Sequence, residues 1–141
     1  MPAGFVVARA ALHQWEEPCI SGQHGSGTVF FSGCSLRCVY CQNQQISLGR
    51  YGALVTEENL LRIVNPTHYA PMLATALKKY CSPVPVIYNS GGYERVEMLK
   101  ALEGLVDIYL PDLKYVDSAV SLRYSGAADY FDYASNAILE M

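Results

Sequence analysis

The sequence predicts an α/β fold built on parallel strands, and three observations support this prediction. Residues of the hydrophobic set AVILMFWYC make up 51% of the 141 residues, which is enough apolar material for the packed core of one domain. Short apolar segments alternate along the chain with segments of helical periodicity, as expected for strand–helix–strand units. The apolar segments are continuous, as in Thr28-Val29-Phe30-Phe31, which is typical of strands buried on both faces.

Charge and hydropathy argue against several classes of protein. Ten Lys and Arg residues against thirteen Asp and Glu give a net charge of −3 without any block of like charge, so electrostatic binding of nucleic acid is not expected. No apolar run approaches the roughly 18 residues that cross a membrane. Arg9 interrupts the apolar start, which lacks a basic region, so no signal peptide is expected. We therefore expect a soluble, cytoplasmic protein that does not bind a membrane.

The first part of the chain is predicted to contain two strands and a polar loop. Residues 5–13 have a strand-like composition, and a Gly-rich turn follows at residues 21–27. Residues 28–32 are expected to form a buried strand. A polar stretch that carries three cysteines then runs over residues 33–50.

The rest of the chain alternates helices with strands. Helices are predicted at residues 56–61, 70–80, 93–103 and 130–141, and strands at residues 62–65, 84–88 and 105–110. Thr56 is a suitable N-cap for the first helix, and Gly104 ends the third. The strand at residues 84–88 is expected to stop at Asn89, and Pro111 is expected to break the last strand.

The five cysteines provide the main chemical signal. Three of them, Cys34, Cys38 and Cys41, form a C-x3-C-x2-C run, which in a cytosolic protein favours a metal site over disulfides. Because this run lacks a fourth cysteine, one interpretation is a [4Fe–4S] cluster with one iron that has no protein ligand. The other is structural zinc, with Cys19, Cys81 or a histidine as the fourth ligand.

In its context this cysteine run closely resembles that of the radical SAM superfamily. Tyr40 precedes the third cysteine, and the run directly follows a Phe-rich strand preceded by glycines. More narrowly, the chain resembles iron–sulfur proteins related to pyruvate formate-lyase-activating enzyme, from about residue 8 to its C-terminus. The blocks that carry this resemblance are His13-Gln14-Trp15-Glu16-Glu17-Pro18, Gly25-Ser26-Gly27-Thr28-Val29-Phe30-Phe31, Cys41-Gln42-Asn43, Asn65-Pro66-Thr67-His68-Tyr69, Tyr88-Asn89-Ser90-Gly91-Gly92-Tyr93 and Val106-Asp107-Ile108-Tyr109-Leu110-Pro111-Asp112-Leu113-Lys114.

The resemblance implies a set of cofactors and a radical chemistry. Cys34, Cys38 and Cys41 are expected to ligate a [4Fe–4S] cluster whose open iron binds S-adenosylmethionine. Reductive cleavage of that cofactor yields methionine and a 5′-deoxyadenosyl radical, which abstracts hydrogen, by resemblance from a glycine of a partner glycyl-radical enzyme. Flavodoxin or ferredoxin is the implied electron donor. Tyr40 is expected beside the adenine, with ordinary loop packing as the alternative.

Three predicted loops follow strands at the edge where ligands bind in folds with parallel strands. They comprise residues 65–68, 89–92 and 111–114. By resemblance, the first loop takes the place of a Gly-Gly-Glu motif, so Asn65, Thr67 and His68 are candidates for contact with the methionine amino group. Asn89 and Ser90 stand where the related activating enzymes have an acidic residue, and they are further candidates for cofactor binding.

Asp112 and Lys114 match an Asp-Leu-Lys motif of the same enzymes. As alternate residues after a strand they share a face, and we expect them to meet the carboxylate or the ribose of S-adenosylmethionine. The alternatives are a capping role for Asp112, a solvated side chain for Lys114 and a structural hydrogen bond for His68. The sequence singles out no catalytic residue.

The resemblance also implies an architecture, an incomplete (βα)6-type radical SAM partial barrel. About four parallel strands are expected, because 141 residues are too few for the family's barrel. Residues 1–24 are expected to form an N-terminal strand and loop segment, and residues 25–141 the partial radical SAM domain. Between Val55 and Asn65 half a helix and its following loop are missing relative to the family. A non-catalytic or degenerate iron–sulfur or zinc fragment is therefore the alternative function.

Overall fold

The structure, a computed structural model, describes residues 4–14, 18–49, 51–56, 70–79 and 83–141. In these ranges the strands are β1 (Phe5–His13), β2 (Ser26–Phe31), β3 (Ala53–Val55), β4 (Ile87–Ser90) and β5 (Ile108–Pro111). The helices are α1 (Pro18–Ser21), α2 (Gln44–Leu48), α3 (Ala70–Lys79), α4 (Val96–Lys100), α5 (Ser118–Ser125) and α6 (Tyr130–Glu140). None of these helices has the length and apolar character that a membrane crossing requires.

The first three strands form an antiparallel sheet in the order β2-β1-β3. β1 pairs with β2 from Val7 opposite Phe31 to His13 opposite Ser26, with a bulge between Val7 and Arg9. A Cβ at Gly52 would lie 2.3 Å from the Val7 carbonyl oxygen, so only glycine fits where β3 approaches β1. The strand predicted at residues 5–13 is thus confirmed. The strand predicted at 28–32 occurs as Ser26–Phe31, but the expectation that it is buried is wrong, because only Val29 of this antiparallel strand is buried.

β4 and β5 form a separate two-stranded parallel sheet, connected through α4. β4 begins at Ile87 rather than at residue 84. Pro85 explains the later start, because proline has no N–H to donate to a neighbouring strand. Asn89 and Ser90, which were expected to end the strand, are its last two residues.

β5 also extends further than the sequence predicts. Pro111 does not break the strand but pairs with Ser90 at its end. Proline is tolerated there because the following N–H, that of Asp112, donates to the Ser90 carbonyl at 2.9 Å. The two strands therefore end side by side, and both chain segments that follow them leave the sheet at the same edge.

The predicted helices are confirmed for α3 and α6, within a residue or two of the expected bounds. α4 is shorter than the predicted helix at residues 93–103, because Arg95 before it has extended backbone and turns replace the helix after Lys100. Residues 57–69 lie outside the described part of the chain, and with them most of the helix predicted at 56–61 and the whole strand predicted at 62–65.

α5 has no counterpart among the predicted elements. Its first turn is capped by Asp117, whose Oδ1 accepts hydrogen bonds from Ala119 N at 2.8 Å and Val120 N at 2.9 Å. Gly126 ends the helix in the left-handed conformation, with φ of 73°. The buried face of α5 carries serines rather than apolar side chains, so hydrophobic periodicity does not reveal the helix. The two caps were the available signals.

One hydrophobic core joins the two sheets. Its buried residues come from β1, β2, α3, β4, the α4 region and α6, and are Phe5, Val7, Val29, Leu73, Ala74, Leu77, Tyr88, Leu99, Leu102 and Ala137. Of the strands predicted to be parallel, β4 and β5 are parallel to each other, whereas β2 is antiparallel to β1. The strand predicted at residues 62–65 lies outside the residues that the structure describes. The partial barrel with about four parallel strands and the domain boundary after residue 24 therefore stay predictions.

Candidate metal centre

The three clustered cysteines lie on one loop, residues 32–43 between β2 and α2, which we call the cysteine loop. Its base is closed by Gly33 N, which donates to Ile46 O at 2.8 Å, and by Ser32 Oγ, which donates to Gly49 O at 2.8 Å. Within the loop, Cys41 N donates to Cys38 O at 3.2 Å. The start of the loop is thus tied to α2 and the residue after it by one backbone and one side-chain hydrogen bond.

The cysteine loop is also fixed to the C-terminal end of α5. Arg37 N donates to Ser125 O at 3.0 Å, and Val39 N donates to Tyr124 O at 2.9 Å. Leu36, 4% exposed, is the apolar anchor of the loop and packs in a small cluster with Ala127, Tyr130 and Ala134. The residues on both sides of Cys38 are therefore held by a helix that lies almost ninety positions away in the sequence.

The thiols themselves are free and influence one another electrostatically. Cys34 is exposed, and Cys38 and Cys41 are half-buried. Desolvation is the main cause that raises the pKa of the Cys34 thiol, and the negative charges of Cys38, Cys41 and Glu94 raise it further. Metals bind thiolates rather than thiols. A bound cation would relieve the repulsion between the three thiolates.

The possible ligands have the chemical type that a metal site needs, but the described side chains are not grouped around a common point. Among the described residues, no three Cys, His, Asp or Glu side chains are grouped closely enough to hold a metal ion. The donor set nevertheless fits an iron–sulfur cluster, because three free thiols on one closed loop are the ligands that such clusters take. Cys19 lies exposed in α1, and Cys81 is outside the description, so neither supplies a visible fourth ligand for zinc.

A chain of hydrogen bonds connects the cysteine loop to the C-terminal part of the molecule. Ser125 Oγ donates to Cys38 Sγ at 2.9 Å, and Ser125 Oγ also hydrogen-bonds to Tyr115 Oη at 2.7 Å. Tyr115 Oη in turn hydrogen-bonds to Tyr40 Oη, and the two rings meet edge to face. Desolvation and the bond to Tyr115 raise the pKa of Tyr40 above its usual value. The structure thus gives Tyr40 a packing partner, and its role beside an adenine stays a prediction.

The loops that follow β4 and β5 lie against each other, and we call residues 91–95 and 112–117 the strand-end loops. Tyr130 of α6 joins them: its hydroxyl donates to Gly91 O at 2.8 Å and Asp112 O at 2.9 Å, and accepts from Lys114 N at 2.9 Å. Gly92 has φ of 75°, and a Cβ there would lie 2.5 Å from Asp112 O. The chain segments that follow β4 and β5 therefore lie together at one edge of the sheet, while Asn89, Ser90 and Pro111 of the predicted loops belong to the strands themselves.

Asp112 and Lys114 face each other, as their spacing predicts. Lys114 Nζ lies 2.5 Å from Asp112 Oδ2, with Asp112 exposed and Lys114 half-buried. Burial lowers the pKa of Lys114, but the hydrogen bond and the charge of Asp112 outweigh it, and the pKa is raised overall. The negative charge of Cys38 contributes in the same direction, so this ammonium group lies within electrostatic reach of the cysteine loop.

Of the other residues predicted to contact the cofactor, two are described by the structure and three are not. Ser90 is buried and its Oγ accepts from Gly92 N at 3.1 Å, whereas Asn89, on the opposite face of β4, is exposed. Asn65, Thr67 and His68 lie outside the described residues. The contacts expected for the methionine amino group thus stay predictions.

Glu94 is a candidate that sequence reasoning missed. Only 6% of this residue is exposed, and its Oε1 makes no hydrogen bond to any residue that the structure describes. Burial raises the pKa of Glu94 to about 7, and the nearby Tyr88 and Ser90 side chains partly offset this effect. Its charge acts on Cys34, and it also lines an open cleft of about 990 Å³ between α4 and α6. An acid directly after Gly91-Gly92-Tyr93 at a strand end was the available signal.

Comparisons with known proteins agree with this donor set. A family model described as a 4Fe–4S single cluster domain matches residues 20–75, the segment that contains all three clustered cysteines. A curated relative, the uncharacterized protein MJ0674 of Methanocaldococcus jannaschii, is 29% identical over 143 aligned positions. The alignment covers 86% of this chain and 41% of the relative, so the chain spans about two fifths of the length of that relative. Together, the free thiols of the cysteine loop and the matching family model support a [4Fe–4S] cluster-binding domain.

Proposed function

We propose that this chain is a radical SAM protein of the type related to pyruvate formate-lyase-activating enzyme. The observation that carries the proposal is the cysteine loop, where three free thiols in a C-x3-C-x2-C run lie within the segment matched by the 4Fe–4S family model. Cys34, Cys38 and Cys41 would leave one iron without a protein ligand, and an open metal position is what catalysis requires. When bound and reduced, such a cluster supplies the electron that cleaves S-adenosylmethionine into methionine and a 5′-deoxyadenosyl radical.

The protein's part in this proposal is to place charged groups around the cysteine loop. The Lys114 ammonium lies within electrostatic reach of Cys38 and is proposed to bind the carboxylate of S-adenosylmethionine. The Asp112 carboxylate forms an ion pair with that ammonium and holds it in place. Glu94 is buried and acts on Cys34, so we propose it as an acidic contact for a cationic group of the ligand. The fold proposed around these groups is the partial barrel that the resemblance implies.

Other contacts and partners belong to the same proposal. Asn65, Thr67 and His68 are proposed for the methionine amino group, Asn89 and Ser90 for the cofactor surface after β4, and Tyr40 for the adenine. The proposed hydrogen donor is a glycine of a partner glycyl-radical enzyme, with flavodoxin or ferredoxin as the electron donor. All of these rest on the sequence resemblance, and the proposed location is the cytoplasm.

Anaerobic reconstitution of the 141-residue chain tests the proposal. We expect about four irons and four sulfides per chain, as one [4Fe–4S] cluster requires. After addition of S-adenosylmethionine and a reductant, 5′-deoxyadenosine is expected in the products and is measured by chromatography. A chain that retains zinc instead of iron and forms no 5′-deoxyadenosine would contradict both parts of the proposal.

A second candidate function is a non-catalytic or degenerate iron–sulfur or zinc module. One observation favours it: the Cys, His, Asp and Glu side chains that the structure describes are not grouped closely enough to hold a metal ion. The same experiment separates the two candidates. A full cluster without cleavage of S-adenosylmethionine supports the non-catalytic module, whereas cleavage supports the radical enzyme.

A further inference from the structure

Ser125 is the residue that links α5 to a cysteine sulfur. Its hydroxyl donates to Cys38 Sγ at 2.9 Å across 87 positions of sequence. It is 1% exposed, and it lies at the last position of α5, where the left-handed Gly126 ends the helix. Water therefore does not compete for this hydroxyl, and its donor is held towards the sulfur by the fold.

The hydrogen bonds on the other side of Ser125 also indicate that its hydroxyl donates to Cys38 Sγ. A serine hydroxyl has a single proton, so once Ser125 donates to Cys38 its oxygen is left to accept. The partner is Tyr115 Oη at 2.7 Å, which then donates to Ser125 and accepts from Tyr40 Oη. Donors aligned in series polarise one another and strengthen the last bond, the one to sulfur.

The backbone contacts of α5 place Cys38 at this donor. Arg37 N and Val39 N, one residue on each side of Cys38, donate to the carbonyls of Ser125 and Tyr124 at 3.0 and 2.9 Å. The helix end thus holds the backbone around Cys38 as well as its sulfur. Ser125 is therefore placed as a hydrogen-bond partner of a metal ligand. Such partners orient the ligand and alter the properties of the metal that it binds.

We propose that Ser125 is a positioning residue whose hydrogen bond to the Cys38 sulfur raises the reduction potential of a bound iron–sulfur cluster. The inference rests on the proposed cluster. Reduction adds negative charge that is shared by the ligand sulfurs, so a donor to sulfur stabilises the reduced state more than the oxidised state. Tyr115 and Tyr40 contribute by directing the proton of Ser125 towards sulfur.

The test is the midpoint potential of the reconstituted full chain, measured by a redox titration followed by electron paramagnetic resonance. Ser125→Ala is expected to shift the potential to a more negative value while iron content stays at the wild-type level. Tyr115→Phe keeps the ring and its packing, removes the donor to Ser125, and is expected to give a smaller shift in the same direction. The Tyr115→Phe variant also allows the potential to be compared with the wild type if Ser125→Ala lowers the amount of bound cluster.

Ser121→Ala is the matched control. Ser121 lies on the same helix, is also 1% exposed, and donates to Ser118 O at 3.0 Å instead of a cysteine. Its substitution should leave the potential unchanged. If the wild-type chain binds iron but neither Ser125→Ala nor Tyr115→Phe moves the potential, or if Ser121→Ala moves it equally, this inference is wrong and the proposed function stands. A wild-type chain that binds no cluster overturns both.

Discussion

The cysteine loop and the strand-end loops are held in contrasting ways. At the strand-end loops two polar side chains are bonded within the protein: Tyr130 Oη makes three hydrogen bonds, and Lys114 pairs with Asp112. Glu94 Oε1, by contrast, makes no hydrogen bond to a residue that the structure describes. In the cysteine loop the backbone is equally well held, by the closed base and by α5, yet the described thiols form no closed group of metal ligands. The strand-end loops are thus joined by side-chain hydrogen bonds, whereas the cysteine loop has an ordered backbone whose thiols are free.

This difference shows how a metal site is prepared by the fold. Hydrogen bonds and the buried Leu36 position the cysteine loop before any metal binds. Burial is the main cause of the raised pKa of Cys34, and repulsion from the neighbouring negative charges adds to it. A bound cation offsets that repulsion. We therefore expect the strand-end loops to determine the stability of the iron-free protein, and the thiols to determine the binding of iron.

The largest expected effect is the loss of iron in cysteine variants. Cys34→Ala, Cys38→Ala and Cys41→Ala are each expected to reduce the iron retained after reconstitution from about four per chain to background, because two thiolates do not hold a cluster. Iron and sulfide analysis measures this directly. Cys19→Ala is the control, since Cys19 is exposed in α1 and outside the run. A cluster retained in any of the three variants, or lost equally in the control, would contradict the assignment of ligands.

An intermediate effect is expected from Glu94, which belongs to the strand-end loops and whose charge acts on Cys34 of the cysteine loop. Burial raises its pKa from 4.5 to about 7, so the folded state keeps a proton that the unfolded chain releases between these values. This contributes about 3 kcal/mol of stability, fully present below pH 4.5 and lost as the pH rises through about 7. Glu94→Gln should therefore flatten the decline of unfolding free energy between about pH 5 and pH 8, measured by urea denaturation.

Glu97→Gln is the matched control for Glu94, because Glu97 is exposed on the neighbouring helix α4. We expect its pH profile to follow the wild type. A Glu94→Gln profile as steep as that of the wild type would show that the buried carboxyl is not the group that titrates. A wild-type profile that rises over this range would contradict the sign of the effect.

The smallest expected effect is that of Tyr130→Phe on the iron-free protein. The change removes a hydroxyl that is bonded to Gly91, Asp112 and Lys114 and leaves these backbone groups without that partner. We expect a loss of about 1–3 kcal/mol in unfolding free energy, measured by urea denaturation. Tyr133→Phe is the control: this half-exposed tyrosine of the same helix packs edge-on against Tyr93, and its change should stay within about 0.5 kcal/mol. Equal losses in both variants would mean that the strand-end loops do not depend on Tyr130.

Much of the secondary structure could be predicted because it depends on short-range patterns. The strand at residues 5–13 and the helices at 70–79 and 130–140 follow from local composition and periodicity, and all three occur. β4 and β5 both end later than predicted, because pairing between the two strands continues through Asn89, Ser90 and Pro111, which are residues typical of turns. α5 was missed because its buried face carries serines.

The candidate site was predictable in its donors and less so in its surroundings. Cys34, Cys38 and Cys41 stand together in the sequence, and the pairing of Asp112 with Lys114 follows from their spacing. The position of Glu94 after Gly91-Gly92-Tyr93 is visible in the sequence, but its burial and raised pKa are not, because both depend on the packing around it.

The sequence by itself determined the cysteine run, the local elements and the alternation typical of an α/β chain, because each depends on residues close together along the chain. Only the tertiary structure decided that the end of α5 holds the cysteine loop and that Ser125 donates to Cys38, 87 positions away. It also decided that Tyr130 joins the two strand-end loops. These contacts connect residues remote in sequence, so they arise only when the core packs and brings α5, α6 and the strand ends into contact.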